Sequence, residues 1–432
     1  MTSIWTETTS MPHFAPLSGD CKTDVLIVGG GMAGILCAKM LQNAGIDYIL
    51  IEANRIGSGI TKNTTAKITA QHGLIYHKLV NKLGAEQAGL YLQANLDAVE
   101  IYRQLCKEMT CDFESQDSFV YTRRDPKIIE KELSALETLE FPAEYTENLP
   151  LPFPTAGAVC FPNQFQFHPL KFLCALSKDL NIREDTKLLE LAPGMAMTNR
   201  GTIRAEKIII ATHFPILNKH GSYFLKQYQH RSYVLALEGA PLPGGMYVDA
   251  NKKGLSFRSY GDKLLLGGGS HRTGKKGGNW AELESFTQTH YPQATIQHRW
   301  ATQDCMTLDG IPYIGQYSAQ TPNLYVATGF NKWGMTSSMV AAQLLSDLVQ
   351  SKQNACEVLF SPSRSILTPQ LAFNSIEALS NLLRIAPKRC PHMGCALKWN
   401  RAERSWDCPC HGSRFEENGK LIDNPATDDL NS

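Results

Sequence analysis

The sequence predicts an α/β protein that combines a Rossmann-like domain, an antiparallel sheet and a small β-rich module at the C-terminus. Three observations support this prediction. A strand, a glycine-rich turn and a helix follow one another between Asp24 and Asn43, the order expected where a doubly wound sheet begins. Strand-forming runs lie between residues 226 and 270. Cysteine and histidine are coupled twice near the end, in Cys390-Pro-His392 and Cys408-Pro-Cys-His411.

Length and charge limit the classes of protein to which the chain can belong. Its 432 residues allow more than one domain at the usual size of about 100 to 200 residues. The 42 basic and 41 acidic residues give no overall bias toward nucleic acid or an anionic membrane. The N-terminus lacks the pattern of a secretion signal, and no apolar run reaches the roughly 18 residues of a membrane span. We therefore expect a cytoplasmic protein with no nucleic-acid partner.

The twelve cysteines are too few for a disulfide scaffold in a chain of this length. Eight of them are scattered singly or in apolar contexts, where a free thiol usually packs as a small hydrophobic group. The other four lie between residues 390 and 410. This group is a candidate metal centre.

Each of the two C-terminal couplets supplies one thiolate and one imidazole. Such a set suits a Rieske 2Fe-2S centre, in which two cysteines hold one iron and two histidines hold the other. Zinc also binds two cysteines with two histidines, but zinc fingers usually place like ligands together. The pattern favours the Rieske centre and leaves zinc as the alternative. The predicted ligands are Cys390, His392, Cys408 and His411.

The glycine-rich turn near the N-terminus has the spacing Gly29-x-Gly31-x-x-Gly34 and leads into an apolar helix. In this arrangement the glycines let the backbone approach a pyrophosphate, and the N-terminus of the helix attracts its charge. Glu52, at the end of the next strand, would accept hydrogen bonds from ribose hydroxyls. The whole order is more specific than the glycines alone, for which a turn without a ligand is the alternative. The motif does not separate NAD from FAD.

Several further segments decide between these two cofactors. The segments over residues 55–59, 63–73, 207–215, 309–315 and 325–336 resemble those of the D-amino-acid oxidase and glycine oxidase superfamily of FAD enzymes. The resemblance implies FAD, with a helix from about Ser337 to Val349 that points its positive end at the flavin. Because the sequence shows no obvious attachment motif, we expect the FAD to be non-covalent. The cofactor contacts implied by the glycine motif and the resemblance are Gly29, Gly30, Gly31, Met32, Ala33, Gly34, Glu52, Ala53, Ser58, Gly59, Thr64, Thr65, Ala211, Thr212, Gly329, Gly334 and Met335.

The segments between these motifs have the pattern of a scaffold. Apolar residues at helical spacing predict one helix over residues 77–109 and another over 126–139. Strands around Tyr233, Phe257 and Leu265 suit the antiparallel sheet that covers the flavin in this superfamily. We interpret Gly267-Gly-Gly269 as a bend over the active site, because no helical pattern follows it. No second dinucleotide-binding fingerprint follows the first in the sequence, and a direct NAD(P)H partner is therefore disfavoured.

The resemblance divides the chain into three parts. Residues 1–350 form the FAD-dependent oxidoreductase domain, 351–388 form a linker with one short helix, and 389–432 form a minimal cluster module. The linker helix would be capped by Asn374, with Glu377 three residues on, and its apolar face would comprise Phe373, Ile376, Leu379 and Leu383. The nucleotide-binding part of the first domain comprises residues 22–75, 150–215 and 300–350, and its substrate part comprises 76–149 and 216–299.

The cluster module is too small to be expected to fold alone. A chain of about 45 residues usually needs a metal or another surface to pack on. We therefore expect the module to be docked on the flavin domain. Loss of the cluster should unfold residues 385–432 and leave FAD bound.

The segments Cys390-Pro-His-Met-Gly-Cys395 and Cys408-Pro-Cys-His-Gly-Ser413 resemble the two cluster loops of Rieske proteins. This resemblance implies a disulfide between Cys395 and Cys410, with a reduced pair as the alternative in the cytosol. It also implies a hydrogen bond from the Ser413 hydroxyl to a cluster sulfur. Many high-potential relatives have a tyrosine where this chain has Phe415. Because hydrogen bonds to sulfur raise the potential, we expect a lower potential here.

The full pattern resembles bacterial FAD-dependent oxidoreductases with a C-terminal Rieske domain. The resemblance implies dehydrogenation of a C–N bond in an amino acid or secondary amine, with electrons relayed through the cluster to an external carrier, a ferredoxin-like protein or a quinone. The alternatives are a reductase fed by a ferredoxin-like donor, and a flavoprotein whose cluster is a redox sensor or structural element. A Rieske oxygenase is disfavoured, since the sequence shows no convincing set of two histidines and a carboxylate for a second iron.

Charged and aromatic residues near these segments are candidates for orienting a small-molecule substrate. Arginine and tyrosine can clamp a carboxylate, although such residues are more often surface groups. His72 and Lys332 lie next to the flavin-contacting motifs. The candidates are His72, Arg231, Tyr233, Arg258, Tyr260, His271, Arg272 and Lys332.

Overall fold

The structure of the protein is a computed structural model, which describes residues 2–217, 220–251 and 253–430. The helices are α1 (Ile4–Glu7), α2 (Met32–Asn43), α3 (Tyr76–Leu83), α4 (Ala85–Cys106), α5 (Lys127–Thr138), α6 (Pro169–Leu176), α7 (Tyr223–Lys226), α8 (Asn279–His290), α9 (Gly334–Val349), α10 (Glu357–Phe360) and α11 (Pro369–Leu383). Within the described ranges, none of the helices is both long and apolar enough to cross a bilayer.

The strands form three sheets. They are β1 (Cys21–Val28), β2 (Tyr48–Ile51), β3 (Lys67–Ile68), β4 (Glu114–Thr122), β5 (Glu144–Thr146), β6 (Gly157–Gln166), β7 (Ile182–Arg183), β8 (Leu188–Ala192), β9 (Met195–Thr198), β10 (Gly201–Ile210), β11 (Gln227–Glu238), β12 (Met246–Asp249), β13 (Ser256–Tyr260), β14 (Lys263–Arg272), β15 (Thr295–Thr307), β16 (Tyr313–Gln316), β17 (Leu324–Thr328), β18 (Lys398–Asn400), β19 (Ser405–Asp407), β20 (Arg414–Glu416) and β21 (Leu421–Asp423).

The first sheet has the main strand order β16-β17-β10-β1-β2-β7. Strand β1 is parallel to both β2 and β10, and its last four residues are buried, as is usual in a parallel sheet covered on both faces. Because β1 and β10 run in the same direction, their carboxyl ends meet at one edge. The glycine-rich turn follows β1 at this edge, and Ala211 follows β10. Ligands of doubly wound sheets bind at this kind of edge.

The second sheet has the main strand order β15-β11-β14-β13-β12-β4-β6-β3. Its pairs are antiparallel apart from β4 with β12, which confirms the predicted antiparallel sheet. Gly267-Gly-Gly269, predicted as a bend, lies inside β14, where Gly267 pairs with Val234. The pairing of β11 with β14 shifts register beside Gly269, which has a φ of 61°, so the bend is a bulge within the strand and not a loop. A side chain at Gly268 would meet Leu255 at 2.7 Å. The glycines thus let the second sheet pack closely.

The long helix predicted over residues 77–109 is divided into α3 and α4 at Gly84. Gly84 has a φ of 84°, a conformation that glycine adopts without steric cost. The helix predicted over 126–139 is confirmed as α5, with Pro126 at its N-cap. The helix predicted from about Ser337 begins three residues earlier, at Gly334.

The C-terminal module contains an antiparallel sheet in the order β18-β19-β20-β21, which confirms its predicted β-rich character. Its small core consists of Leu397, Phe415, Ala426 and Leu430 together with four cysteines. Residues 431–432 of the predicted module lie outside the described part of the chain.

The helix of the linker, α11, begins at Pro369 with Thr368 as its N-cap. The predicted cap at Asn374 is therefore wrong, since this residue lies inside the helix and is buried. The polar side of α11 faces the protein, and the predicted apolar face is exposed. The short helix α10 also lies in this segment.

Candidate active site and cluster centre

A deep cavity of about 850 Å³ opens at the carboxyl edge of the first sheet and reaches the second sheet. Its volume lies within the usual range of ligand pockets, about 300 to 1,000 Å³. All of the predicted cofactor contacts except Gly34 and Gly329 line it. Gly34 instead packs against the backbone of Gly29, and Gly329 packs against Thr307.

The glycine-rich turn brings bare backbone to the wall of the cavity. Gly29 has a φ of 113° and a hypothetical Cβ only 2.6 Å from the Ala211 carbonyl oxygen. A Cβ at Gly34 would lie 1.9 Å from the Gly29 carbonyl oxygen. Helix α2 starts directly after the turn, so its first N–H groups and its dipole face this edge. The turn therefore fits the pyrophosphate of FAD.

We expect Gly34→Ala to weaken FAD binding. The added methyl group forces the turn away from its close contact with Gly29, and such overpacking costs about 1 to 3 kcal/mol, or roughly one to two powers of ten in affinity. The matched control is Gly89→Ala in helix α4, where the nearest atom to a new Cβ lies at 4.0 Å. The flavin-to-protein absorbance ratio of the purified variants tests this expectation, and a full flavin content in Gly34→Ala would contradict it.

Glu52 holds its carboxylate beside the turn. Its Oε2 accepts a hydrogen bond from the Gly30 N–H at 2.7 Å, and its Oε1 accepts one from the Asn54 N–H at 2.9 Å. Burial raises the pKa of Glu52, and the two backbone donors oppose this rise. Glu52 and Ala53 line the cavity. A fixed carboxylate at this position fits the ribose hydroxyls of FAD.

The loop over residues 58–65 and the start of α9 line the other end of the cavity. The N-terminus of α9 lies at Gly334, and the Met335 carbonyl accepts a hydrogen bond from the Tyr102 hydroxyl at 2.9 Å. The positive end of the helix dipole therefore faces the cavity, where it would stabilise negative charge on a reduced flavin ring. The residues of both segments fit the flavin.

Arg258 holds the end of the 58–65 loop through hydrogen bonds to its backbone. Its Nη1 donates hydrogen bonds to the Thr65 and Ala66 carbonyls at 2.6 and 2.8 Å. The guanidinium is buried and does not line the cavity. Tyr260, the next candidate along β13, donates to Asp112 at 2.9 Å and does not line it either. The structure thus places both residues where they position the loop or the scaffold.

Successive side chains of β11 point alternately toward the cavity and toward the C-terminal module. Tyr228, His230 and Ser232 line the cavity, whereas Gln229 and Arg231 form hydrogen bonds with the C-terminal module. Side chains that are one residue apart point to opposite faces of a sheet. Arg231 was a predicted candidate and its neighbours His230 and Ser232 were not, because the strand pattern does not show which face meets the cavity.

Tyr233, His271 and Arg272 lie at the border between the two parts of the protein. The Tyr233 hydroxyl lies 3.0 Å from the His271 Nε2 and donates to Glu403 at 3.0 Å. Arg272 donates to the Pro409 and Cys410 carbonyls at 3.3 Å. Only Tyr233 of these three lines the cavity. The side chain of Arg272 is therefore committed to holding a cluster loop.

His72 lies in the cavity wall and is buried. Its Nδ1 lies 2.7 Å from the Tyr91 hydroxyl, its Nε2 lies 2.9 Å from the Thr336 hydroxyl, and its ring stacks on Trp333. Burial lowers the pKa of His72 to about 3, so the ring is neutral near pH 7. These contacts fix the ring beside the start of α9.

Lys332 lies in a polar cluster whose other members, Ser232, Ser270 and Asp304, were not among the predicted candidates. Its Nζ donates to the Ser232 and Ser270 hydroxyls at 3.0 and 3.4 Å. Asp304 also lines the cavity. Burial raises the pKa of Asp304, and the nearby Lys332 charge opposes this rise. Asp304 is an acidic residue within strand β15. A charged residue inside a strand was the sequence signal that could have identified it.

The four predicted cluster ligands come together in the C-terminal module. Cys390 and Cys408 are buried, and the rings of His392 and His411 lie 5.0 Å apart between centroids. Among the described residues, no hydrogen-bond partner is found for the buried His411 Nδ1, an atom suited to bind a metal. Two thiols and two imidazoles at one point fit a Rieske 2Fe-2S cluster.

The sulfur atoms of Cys395, Cys408 and Cys410 lie within 4.8 Å of one another. Cys395 and Cys410 are therefore near neighbours, while all cysteines within the described ranges are present as thiols. The disulfide between these two residues stays a prediction.

Phe415 is fully buried on β20 in the core of the module. Nearby, the Ser413 hydroxyl accepts a hydrogen bond from the Ala426 N–H at 2.9 Å. The hydrogen bond from Ser413 to a cluster sulfur stays a prediction.

We expect Phe415→Tyr to shift the midpoint potential of the cluster to a more positive value. The added hydroxyl would donate a hydrogen bond to a ligand sulfur, which favours the reduced cluster. Voltammetry of the holoprotein measures the shift, with Phe415→Leu as a control that lacks the hydroxyl. An unchanged midpoint in the tyrosine variant would be the contrary result.

The second cluster loop lies directly on the second sheet. A Cβ at Gly412 would lie 2.5 Å from the Gln229 Cβ, and one at Gly274 would lie 2.7 Å from the Pro409 Cα. The Gln303 Nε2 donates to the Gly412 carbonyl at 2.9 Å. The backbone of the second cluster loop therefore lies directly against side chains and backbone of the sheet, as predicted for a module docked on the flavin domain.

A buried ion network joins the two parts of the protein beside this contact. Arg231 of β11 pairs with Glu403 of the module, and Glu403 also pairs with Arg414 at 2.7 Å. Although burial alone would raise it, the two guanidinium groups lower the pKa of Glu403 to about 2. Glu403 is therefore ionised near pH 7 and holds both arginines.

The segment that follows β10 connects the cavity with the cluster. Thr212 and His213 line the cavity, and the ring of Phe214 lies 6.4 Å from the ring of His392 between centroids. Asn424 of the module donates from Nδ2 to the Thr212 and Phe214 carbonyls and lines the cavity itself. A single short segment thus contacts both sites.

Known proteins share both halves of this arrangement. A family model for FAD dependent oxidoreductases (DAO) matches residues 24–348, and one for the Rieske [2Fe-2S] domain matches residues 371–432. A Bacillus subtilis protein, YhfW, whose name describes a Rieske 2Fe-2S iron-sulfur protein, is 35% identical over 98% of this chain and 96% of its own length.

Two further relatives cover the flavin-binding part. Gamma-glutamylputrescine oxidoreductase of Escherichia coli is 22% identical over 78% of this chain and 86% of its own length. The crystal structure of glycine oxidase from Geobacillus kaustophilus superimposes with a TM-score of 0.68 at 21% identity, over 80% of this chain and 99% of that one. The Rieske match decides between iron and zinc at the C-terminal couplets. The chain belongs to the DAO family of FAD-dependent oxidoreductases and carries a C-terminal Rieske [2Fe-2S] domain.

Proposed function

We propose that the protein dehydrogenates a C–N bond of an amino acid or secondary amine and relays the electrons through its Rieske cluster to an external carrier. The observation that carries the relay is the segment 212–214, which contacts both the FAD cavity and a cluster histidine. When bound, FAD takes two electrons from the substrate, and the 2Fe-2S cluster accepts them one at a time. The external carrier would be a ferredoxin-like protein or a quinone.

The substrate class rests on the cavity and on the relatives. The names of two relatives specify an amine and an amino acid as their substrates. In this chain, Lys332 and Asp304 place a positive and a negative group in the cavity wall. The Lys332 ammonium would bind a substrate carboxylate, and Asp304 would attract a substrate ammonium. Ser232 and Ser270 hold the Lys332 side chain in position.

We expect Lys332→Met to raise KM for the substrate more than it lowers kcat. A charge-assisted hydrogen bond contributes about 1.5 to 3 kcal/mol, so kcat/KM should fall roughly tenfold to a hundredfold. Steady-state kinetics with an artificial acceptor measures the effect, and Lys332→Arg should recover part of it. A methionine variant with unchanged KM would remove Lys332 from the substrate site.

Anaerobic titration of the holoprotein with a panel of amines and amino acids tests the proposed function. The absorbance of the flavin and that of the cluster are followed separately by stopped flow. We expect one compound of this class to bleach the flavin first and the cluster second. Flavin reduction with a cluster that stays oxidised would contradict the relay, and a flavin that no compound of the panel reduces would contradict the substrate class.

A further inference from the structure

Helix α11 is held against the protein by its polar side. The Arg272 Nη1 donates to Asn374 at 2.8 Å, and Glu377 pairs with Lys275 at 2.7 Å. The Asn381 carbonyl accepts a hydrogen bond from the backbone of the first cluster loop at 3.0 Å. Asn374, Glu377 and Asn381 are all buried. These contacts fix the rotation of the helix about its axis.

The opposite side of α11 consequently presents an apolar face to the surroundings. The exposed fractions are 64% for Phe373, 66% for Ile376, 60% for Leu379 and 82% for Leu383. Of the fifteen large hydrophobic residues that are exposed in the described ranges, seven lie between Leu367 and Ile385. Single exposed apolar residues are ordinary, whereas a contiguous patch marks an interaction site.

The exposed charges of the segment over residues 361–389 have one sign. Arg384 and Arg389 are exposed at the C-terminal end of the helix. The segment over residues 361–389 contains one acidic residue, Glu377, and that residue is buried and paired with Lys275. A helix with an exposed aliphatic and aromatic face and a cationic edge has the composition of helices that lie in the surface of a bilayer.

We propose that α11 binds the surface of a membrane that contains anionic lipid, with Phe373, Ile376, Leu379 and Leu383 inserted at the boundary of the acyl chains. The arginines at its end would meet the lipid headgroups. A second copy of the chain, docked through the same face, would bring two sets of arginines into one interface with no exposed acid from this segment to offset them. A lipid surface satisfies both the apolar face and its charges.

This location also concerns the cluster. The Arg389 Nη1 donates to the Leu382 carbonyl at 3.1 Å and to the Gly394 carbonyl at 2.7 Å. The first cluster loop is thereby tied to the end of α11 and would lie beside the lipid surface. If the proposed relay also holds, a lipid-soluble carrier could meet the protein there, but membrane binding itself does not depend on the relay.

Flotation of the holoprotein with lipid vesicles tests the proposal. We expect it to float with vesicles of phosphatidylcholine and phosphatidylglycerol, and to float less in high salt or with phosphatidylcholine alone. The triple variant Phe373→Ser, Ile376→Ser, Leu379→Ser should lose about tenfold or more of the vesicle affinity. The control is Leu189→Ser. Leu189 is 61% exposed, close to the 60% of Leu379, and lies far from α11 in sequence.

Flavin and cluster absorbance confirm that each variant is loaded before flotation, and substrate-dependent reduction of the flavin should be unchanged in both. Wild-type protein that fails to float with either kind of vesicle would overturn the proposal. It would also be overturned if the wild type were a dimer that the triple variant converts to monomers while vesicle binding is absent. Failure of the relay alone would appear in stopped flow and leave flotation intact.

Discussion

Gly274→Ala should slow the reduction of the Rieske cluster while leaving reduction of the flavin by substrate unchanged. Gly274 has a φ of 72°, and a Cβ there would meet the Pro409 Cα and backbone nitrogen at 2.7 Å. Because Pro409 lies between the cluster ligand Cys408 and Cys410, the added methyl group must push the second cluster loop off the sheet. Overpacking of this kind costs about 1 to 3 kcal/mol, so the docking equilibrium should weaken by roughly one to two powers of ten.

Gly261→Ala is a matched control for this variant. Gly261 also has a positive φ, 55°, and lies in the turn between β13 and β14 of the same sheet, but no atom lies within 4 Å of its hypothetical Cβ. Both variants therefore carry the backbone strain, and only one displaces the cluster loop. Stopped-flow traces of the flavin and cluster bands measure the two steps. Equal cluster reduction rates in the two variants would show that the contact at Pro409 does not serve electron transfer.

The ion network beside this contact selects the docked position more than it adds stability. Burying Arg231, Glu403, Arg414 and Asp407, which also pairs with Arg414, removes four charges from water, and their mutual attraction roughly offsets that cost. A module shifted along the sheet would cover Arg231 without pairing it with Glu403, and a buried charge without its partner costs about 3 to 5 kcal/mol. The network thus disfavours other positions of the module on the sheet.

The sequence predicts those features whose chemistry is local. The glycine-rich turn, Glu52 and the four cluster ligands are each defined by neighbours within a few residues, so their spacing alone indicates where they meet. The nearly complete lining of the cavity by the predicted contacts follows from this.

Other features depend on contacts between distant segments and could not be predicted in the same way. Arg231 and Ser232 are adjacent in sequence, but the pairing of β11 with β14 and β15 decides which of them faces the cavity. The orientation of α11 shows the same effect. Its apolar pattern predicts one apolar face but not which way that face turns, and Arg272 and Lys275, about a hundred residues earlier, hold the polar face against the protein.

Removal of the cluster should unfold the C-terminal module and leave FAD in place. Four of the eight residues in the core of the module are cysteines, so without iron half of this core consists of thiols around an unfilled centre. A unit of about 45 residues gains little stability from its own apolar contacts, and metal binding usually supplies the remainder. The glycine-rich turn and Glu52 belong to another sheet and do not depend on the cluster.

The double variant Cys390→Ser, Cys408→Ser, purified with FAD, is the material for this test, and Cys356→Ser, outside the module, is its control. Limited proteolysis should cut the double variant within residues 385–430 and leave the control intact, with equal flavin absorbance in both. The opposing force is the docking contact, which includes the Arg231–Glu403 pair and the Gln303 bond to Gly412. An intact tail in the double variant would therefore mean that docking, and not iron, holds the module in its fold.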